Sequence, residues 1–341
     1  MPSDANRTRV SRWRRALLLA SLALLGILWL CYLACFDFCA AVTVSPAWVW
    51  LIPALLLVGP EWWGGSRRWG AAGAGLWLAF ALLLADTPTA LVRAFTTAAS
   101  AEGEREPFQP GGTLRVVTLN CATRAESARE VIPFCPDVVL LQESPSRRDT
   151  EELARQLYGP DAALLWGVDA SLIARGRIVA AHGSPAAGGD FARARVRLAS
   201  GTEVEVLSLR LLPQPFSLDL WSPKCWTDYA ESRRSRRAQL CRIVKQLDSV
   251  ALEVPVILGG DFNAPPGDAV FRLLRPRFAD AFRRAGIGWG NTITNDRPIS
   301  RIDQIWTSAP LQPSAVFARK TRNSDHRMVV CDLRLRDDEG Q

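Results

Sequence analysis

Apolar residues are arranged along this chain in two regimes. Up to about Ala85 they form long runs rich in Leu, Ala and Trp, whereas after about Ala101 they fall into short runs separated by polar clusters. The first run, Ala16 to about Phe36, follows Arg7, Arg9, Arg12, Arg14 and Arg15. It reaches the roughly 20 residues that cross a bilayer as a helix. Two shorter runs follow: Val42 to Val58, with Pro46 and Pro53, and Trp69 to Ala85, preceded by Arg67 and Arg68. Membrane helices tolerate proline, so the pattern predicts three transmembrane helices at about 16–36, 42–58 and 69–85. The same lengths also fit buried helices of a soluble domain. Five arginines precede the first run, none separates the first from the second, and two separate the second from the third. The positive-inside rule then puts the amino terminus and the Glu61 to Arg68 loop in the cytoplasm and everything after the third span outside it, in a plasma or inner membrane. A cleavable signal peptide is the competing reading of the first run, although its apolar core is long for that role and the domain's side is unchanged.

Residues 86–112 read as a helical stub and a linker. Beyond them strands recur, at Leu114–Leu119, Val138–Leu141, Ser171–Ile173, Ala192–Leu198, Val204–Leu209, Val256–Leu258, Ile302–Thr307 and Met328–Leu335. Helical patterns lie between some of them: Thr150–Tyr158, and Tyr229–Val250, where Leu240, Val244 and Leu247 share a face. Strands with intervening helices predict a single α/β domain over 113–337 with a core of two mixed sheets.

The stretch Pro255 to Asn263, Pro-Val-Ile-Leu-Gly-Gly-Asp-Phe-Asn, changes this picture from fold to function. Glycine weakens a strand interior and marks a place where another backbone or a ligand comes close. Side-chain alternation points Asp261 and Asn263 the same way. Other predicted strands also end in polar groups that folding does not require: Asn120 after Leu119, Gln142 and Glu143 after Leu141, Asp303 in Arg301–Ile305, and Asp325 with His326 before the last strand. Acids and amides with one of only two histidines suit a hard-oxygen metal site and general acid/base chemistry, with Mg2+ or Mn2+ as the ion. The absence of clustered His and Cys argues against zinc.

Composition adds little. The net charge of +7 rests largely on arginine and favours phosphate-bearing or anionic-surface partners without choosing among nucleic acid, phospholipid headgroup and small phosphoester. Eight cysteines show no C-x-x-C spacing in the charged region, so core thiols are expected, with Cys225 and Cys241 the first pair to check for a disulfide. His182, in Val-Ala-Ala-His-Gly, is expected at the surface or in a turn. Nothing in the sequence marks a protein partner.

Thr118-Leu119-Asn120, Leu141-Gln142-Glu143-Ser144, Gly260-Asp261-Phe262-Asn263, Arg301-Ile302-Asp303 and Ser324-Asp325-His326, taken in this order, resemble the motifs of the endonuclease/exonuclease/phosphatase superfamily over about residues 113–335. The resemblance implies a four-layered α/β sandwich, two packed mixed sheets flanked by helices, that cleaves a phosphoester with metal-activated water. It implies Glu143 as principal metal ligand, with Asn120 beside it and Asp325 contributing. Asp261 would orient or deprotonate the water, Asn263 would hold a phosphate oxygen, and His326, oriented by Asp303, would stabilise the phosphoryl group or act as an acid.

One departure stands out. Phosphatase and sphingomyelinase branches commonly end the strand corresponding to Val204–Leu209 in a His-Leu pair, and here the residues are Arg210 and Leu211. Arg210 suits a phosphate as a fork of donors but does not give up a proton near neutral pH. The loop Pro213 to Asp228 carries Phe216, Trp221 and Trp226, which either stack a ring, touch the bilayer interface, or pack under a helix whose Arg233, Arg234, Arg236 and Arg237 read as a solvated face. The sequence therefore predicts a membrane-anchored, metal-dependent phosphoesterase. The alternative is a catalytically impaired membrane protein that keeps the fold and binds phosphate or a partner.

Overall fold

The computed structural model describes residues 4–96, 112–182, 189–217, 219–275 and 277–336. The chain divides into two compact units, one of Met1–Pro88 with Phe216–Glu231 and Gly267–Ala269, the other of the remaining residues. The first is a helical unit whose core gathers Leu28, Val58, Trp77 and Phe80. Within its helix Asp4–Ala34, the segment Ser11–Ala34 has 24 residues at mean hydropathy 2.4, long and apolar enough to cross a membrane.

The other two expected spans are corrected by the structure: neither is one straight helix of that kind. Asp37–Thr43 and Ala47–Gly64 meet at 74°, and Arg67–Leu84 and Thr87–Thr96 at 75°. Pro46, in extended backbone ahead of Ala47, supplies no N–H and ends helical continuity there. Asp86 and Pro88 flank the second bend, where Ala85 is extended. Trp226 packs on the apolar core of this unit, and Cys225 and Tyr229 pack on Ala40 and Ala41, whereas Phe216 and Trp221 remain exposed.

The second unit is a mixed α/β fold built, among the described residues, on eleven strands: β1 Thr113–Asn120, β2 Val138–Gln142, β3 Ala162–Leu165, β4 Ala170–His182, β5 Phe191–Leu198, β6 Glu203–Arg210, β7 Val256–Asp261, β8 Phe278–Asp280, β9 Asp303–Ser308, β10 Leu311–Arg319 and β11 Met328–Leu335. The expected two sheets are joined. Pairing runs without interruption as β10-β11-β1-β2-β4-β5-β6-β7-β9-β8, with β3 on β4. The first half of β4 pairs β2, while Gly176 to His182 pairs β5. At the changeover Gly176 has φ +146°, and a Cβ there would sit 2.1 Å from the Arg197 carbonyl oxygen, so glycine is required where the sheet curls.

Strand alternation sorts the apolar residues into three cores. Val138 and Leu140 face inward with Val206, Ile257 and Ile305; Val139 and Leu141 face outward under Leu153 and Ala154 of the helix Arg147–Tyr158. On the other outer face Leu207, Leu209 and Leu258 meet Leu240 and Ile243 of the helix Pro223–Lys245, and Leu247 in the turn that follows it. Each such leucine contributes about 1.5–3 kcal/mol of transfer free energy. This is the helix-sheet-sheet-helix order that positions the strand ends.

The arginines on the helix Pro223–Lys245 are not a uniformly solvated face, because Arg233 and Arg236 are buried three residues apart while Arg234 is exposed. Cys225 and Cys241 are both free. Sixteen helical positions separate them, about 24 Å at 1.5 Å per residue, far beyond disulfide reach. His182 is exposed at the end of β4, as expected.

Candidate active site

Strand register brings the polar strand ends to one edge. Asn120 pairs with Gln142 across parallel β1 and β2, Arg210 with Asp261 across parallel β6 and β7, and Asp261 with Asp303 across antiparallel β7 and β9. Glu143 follows β2, and His326 precedes β11, which runs antiparallel to β1. Glu143 and Asn263 adopt left-handed backbone, φ +43° and +48°, in a region that costs a non-glycine residue about 1 kcal/mol or more.

The two glycines before Asp261 serve the fold. A Cβ on Gly259 would meet Leu140 Cδ1 at 2.7 Å, and one on Gly260, at φ +146°, would lie 1.9 Å from the Leu209 carbonyl oxygen. They mark the close approach of the two layers and of a neighbouring strand. Phe262 then turns into the core beside Phe271, leaving Asp261 and Asn263 together: Asn263 N and Nδ2 donate to Asp261 Oδ1 and Oδ2 at 2.9 and 3.1 Å.

Asp261 is buried, and its Oδ2 also accepts from Asn120 Nδ2 at 3.2 Å. Burial, and then the nearby charge of Asp303, push its carboxyl up to about 7, against the opposing pull of His326 and the amide donors. Asp303 is fully buried; its Oδ2 lies 2.9 Å from His326 Nδ1, its N donates to Thr292 Oγ1, and its Oδ1 has no hydrogen-bond partner. Burial works against a charged His326. Asp303, through charge and hydrogen bond, together with Asp261 and Asp325, outweighs it and moves the imidazolium up to about 10. Asp303 thus holds the Nδ1 proton and leaves Nε2 for a substrate.

Asp261, Asp303 and His326 each offer a ligand atom within 4.8 Å of one another. The two carboxylates of this group, with no thiolate beside them, suit a hard divalent ion, and the orphaned Asp303 Oδ1 is an acceptor that a cation satisfies. The residues present therefore fit a divalent metal.

Glu143 Oε1 accepts from Asn120 Nδ2 at 3.1 Å and from Arg210 Nη2 at 2.7 Å. Asn120 turns its nitrogen to the two carboxylates, because its oxygen accepts from Ala122 N at 3.0 Å. In this arrangement it bridges Glu143 and Asp261 as a donor. The exposed Asp325 makes no side-chain hydrogen bond to these groups and lines a neighbouring cleft with Thr294, Asn295, Lys320 and Arg322.

Three residues escaped the sequence reading as site elements. Asp169 accepts from Arg210 Nη1 at 3.1 Å. Thr292 accepts from the backbone of Ile302 and Asp303. Ser324 donates to the Asn120 carbonyl and accepts from His326 N. Ser324 lay inside a recognised motif, but neither Asp169 nor Thr292 carries a local signal.

Strand-end carboxylates and amides are thus gathered beside an Asp-His pair at one edge of a mixed α/β fold. The chain belongs to the Endonuclease/Exonuclease/phosphatase family, which matches residues 117–326. Members of this family hydrolyse phosphoester bonds, generally with divalent metals. No curated protein matches the chain by sequence. Among solved structures, an endonuclease/exonuclease/phosphatase family protein from Bacteroides thetaiotaomicron aligns with TM-score 0.51 and 14% identity over 66% of this chain and 98% of its own. A mannosyl-6-phosphatase from the same organism aligns at 0.50 and 16% over 64% and 99%. The human Nocturnin catalytic domain with bound sulfate aligns at 0.50 and 18% over 67% and 95%. At these identities the likeness establishes the fold alone.

Proposed function

We propose that this chain is a membrane-anchored, metal-dependent phosphoesterase whose catalytic domain, about residues 113–337, cleaves a phosphodiester or phosphomonoester on the extracytoplasmic side. The observation that carries the reading is the buried Asp261, held by Asn120 and Asn263 within reach of the Asp303–His326 pair. Anchoring rests on the apolar helix Ser11–Ala34 and its basic flank. Nucleic acid, a phospholipid headgroup and a small phosphoester all fit as substrates.

The carboxylates that would hold Mg2+ or Mn2+ are Glu143 and, from the buried cluster, Asp261 and Asp303, with Asp325 close enough for its charge to reach His326. A bound divalent ion supplies charge neutralisation on the phosphate oxygens and lowers the barrier to attack by water. Asp261, with its carboxyl raised to about 7, is placed to take the proton of the attacking water as the new phosphorus–oxygen bond forms and the bond to the leaving oxygen breaks. Asn263 orients Asp261, its Nδ2 donating to Asp261 Oδ2 and to the Leu211 carbonyl. His326, charged at neutral pH, presents its Nε2 proton to the phosphoryl group. Arg210 contributes a fixed positive charge for the leaving side and no proton.

The test is hydrolysis of bis-p-nitrophenyl phosphate and p-nitrophenyl phosphate by the full-length protein in detergent, with Mg2+, Mn2+ or EDTA, beside Glu143→Ala and Asp261→Asn. Metal-dependent release that both substitutions abolish supports the reading; release that survives EDTA and both substitutions overturns it. A second reading, a phosphate-binding or partner-binding protein without turnover, is favoured by one observation: Arg210 already occupies Glu143. Phosphate binding without release from either ester supports that reading.

A further inference from the structure

Glu143 and Asp169 are held side by side, because Glu143 N donates to the Asp169 carbonyl at 3.1 Å. Arg210 spans their carboxylates, with Nη2 on Glu143 Oε1 at 2.7 Å and Nη1 on Asp169 Oδ1 at 3.1 Å. Its backbone is fixed: Arg210 N donates to the Asp190 carbonyl at 2.9 Å, and Gln239 Nε2 donates to the Arg210 carbonyl at 3.1 Å. The guanidinium is therefore a long arm on a rigid base, with two carboxylates to choose between. On the Asp169 side a cleft of about 190 Å³, lined by Asp169, Asp190, Arg210, Gln239 and Arg242 among others, gives the arm room.

We propose that Arg210 and the divalent ion compete for Glu143, and that Asp169 is a positioning residue that receives Arg210 when the ion binds. The inference rests on the reading of Glu143 as a metal ligand. A guanidinium and a divalent ion repel one another at a shared carboxylate, and the planar fork matches a second carboxylate bidentately, so Asp169 replaces the bond Arg210 gives up. The side chains of Arg210, Glu143 and Asp169 are 26%, 29% and 32% exposed. Water screening at that exposure makes the competition modest, about fivefold in metal affinity.

The measurement is Mn2+ binding to the full-length protein in detergent micelles, by calorimetry and by the spin-resonance signal of free Mn2+. Arg210→Lys keeps the charge and loses the fork that spans both carboxylates, so it should tighten Mn2+ binding by a few-fold, and Arg210→Gln by about fivefold or more. Asp169→Asn should weaken binding in the wild-type background and change nothing when Arg210 is already Gln, because Asp169 acts through Arg210. Thermal melts of each variant establish that it is folded; a variant that does not melt cooperatively is replaced by Arg210→Met, with the same expectation as Gln. Unchanged or weaker affinity in the folded Arg210 variants overturns the competition, as does an Asp169→Asn effect that persists in the Arg210→Gln background. Glu143→Ala separates the two levels. Loss of Mn2+ binding there upholds the metal-ligand reading whatever Arg210 does, and unchanged binding overturns that reading and the competition with it.

Discussion

Asp303 Oδ2 lies 2.9 Å from His326 Nδ1, with both residues buried, and this contact joins the strand start after residue 302 to the strand start after residue 327. An imidazole so held has one tautomer and one orientation. Asp303→Asn keeps the shape and removes the charge. It should lower turnover by about 10²-fold and shift the basic limb of the pH–rate profile downward, since His326 then loses the partner that raises it. The profile with and without the substitution checks this, and an unmoved basic limb counts against the assignment.

Asp261→Asn should separate activity from stability. The amide keeps the size of the side chain while removing the proton acceptor, so turnover should fall by about 10²- to 10⁴-fold. Burial disfavours the ionised carboxylate, so the metal-free variant should melt at or above the wild-type temperature at pH 8. A lower melting temperature there counts against a desolvated Asp261.

In EDTA, stability should fall as pH rises. Asp261 is raised in the fold from 3.8 to about 7, so its contribution is present below pH 3.8 and is lost as pH climbs through about 7. His326 is raised from 6.5 to about 10, so its contribution is complete below pH 6.5 and is lost as pH climbs through about 10. Melting temperatures at pH 5, 7 and 9 should therefore decline, with the lower step flattened in Asp261→Asn.

Gly260→Ala should be among the more damaging single substitutions. The backbone at φ +146° and the Leu209 carbonyl 1.9 Å from the new Cβ leave no room without moving β6 or β7. A loss of about 3 kcal/mol or more is expected from chemical denaturation, with activity falling as Arg210 and Asp261 lose register.

The strand ends were legible because each is a local pattern: an apolar run of period two stops at a polar group, as at Leu119-Asn120 or Leu141-Gln142-Glu143. The sequence pattern misses the short strands β3 and β8 and the nine-residue β10, and shows only three residues of the 13 in β4. Ala162–Leu165 and Phe278–Asp280 are too short for periodicity, and the outer half of β4, with Arg177, Ala180 and Ala181, has no apolar alternation to reveal it. Its pairing partner β5 decides its conformation.

By itself the sequence determined the apolar amino-terminal region, the α/β class and the set of acids, amides and histidine that one edge collects, since those follow from residue type and short spacing. Tertiary structure alone decided that two expected spans are bent pairs, that the sheet is continuous through Gly176, and that Gly259 and Gly260 serve strand and layer packing. It also decided that Arg210 lies between Glu143 and Asp169, residues 67 and 41 positions away. Contacts over such separations depend on how strands pair and curl, and no local pattern encodes them.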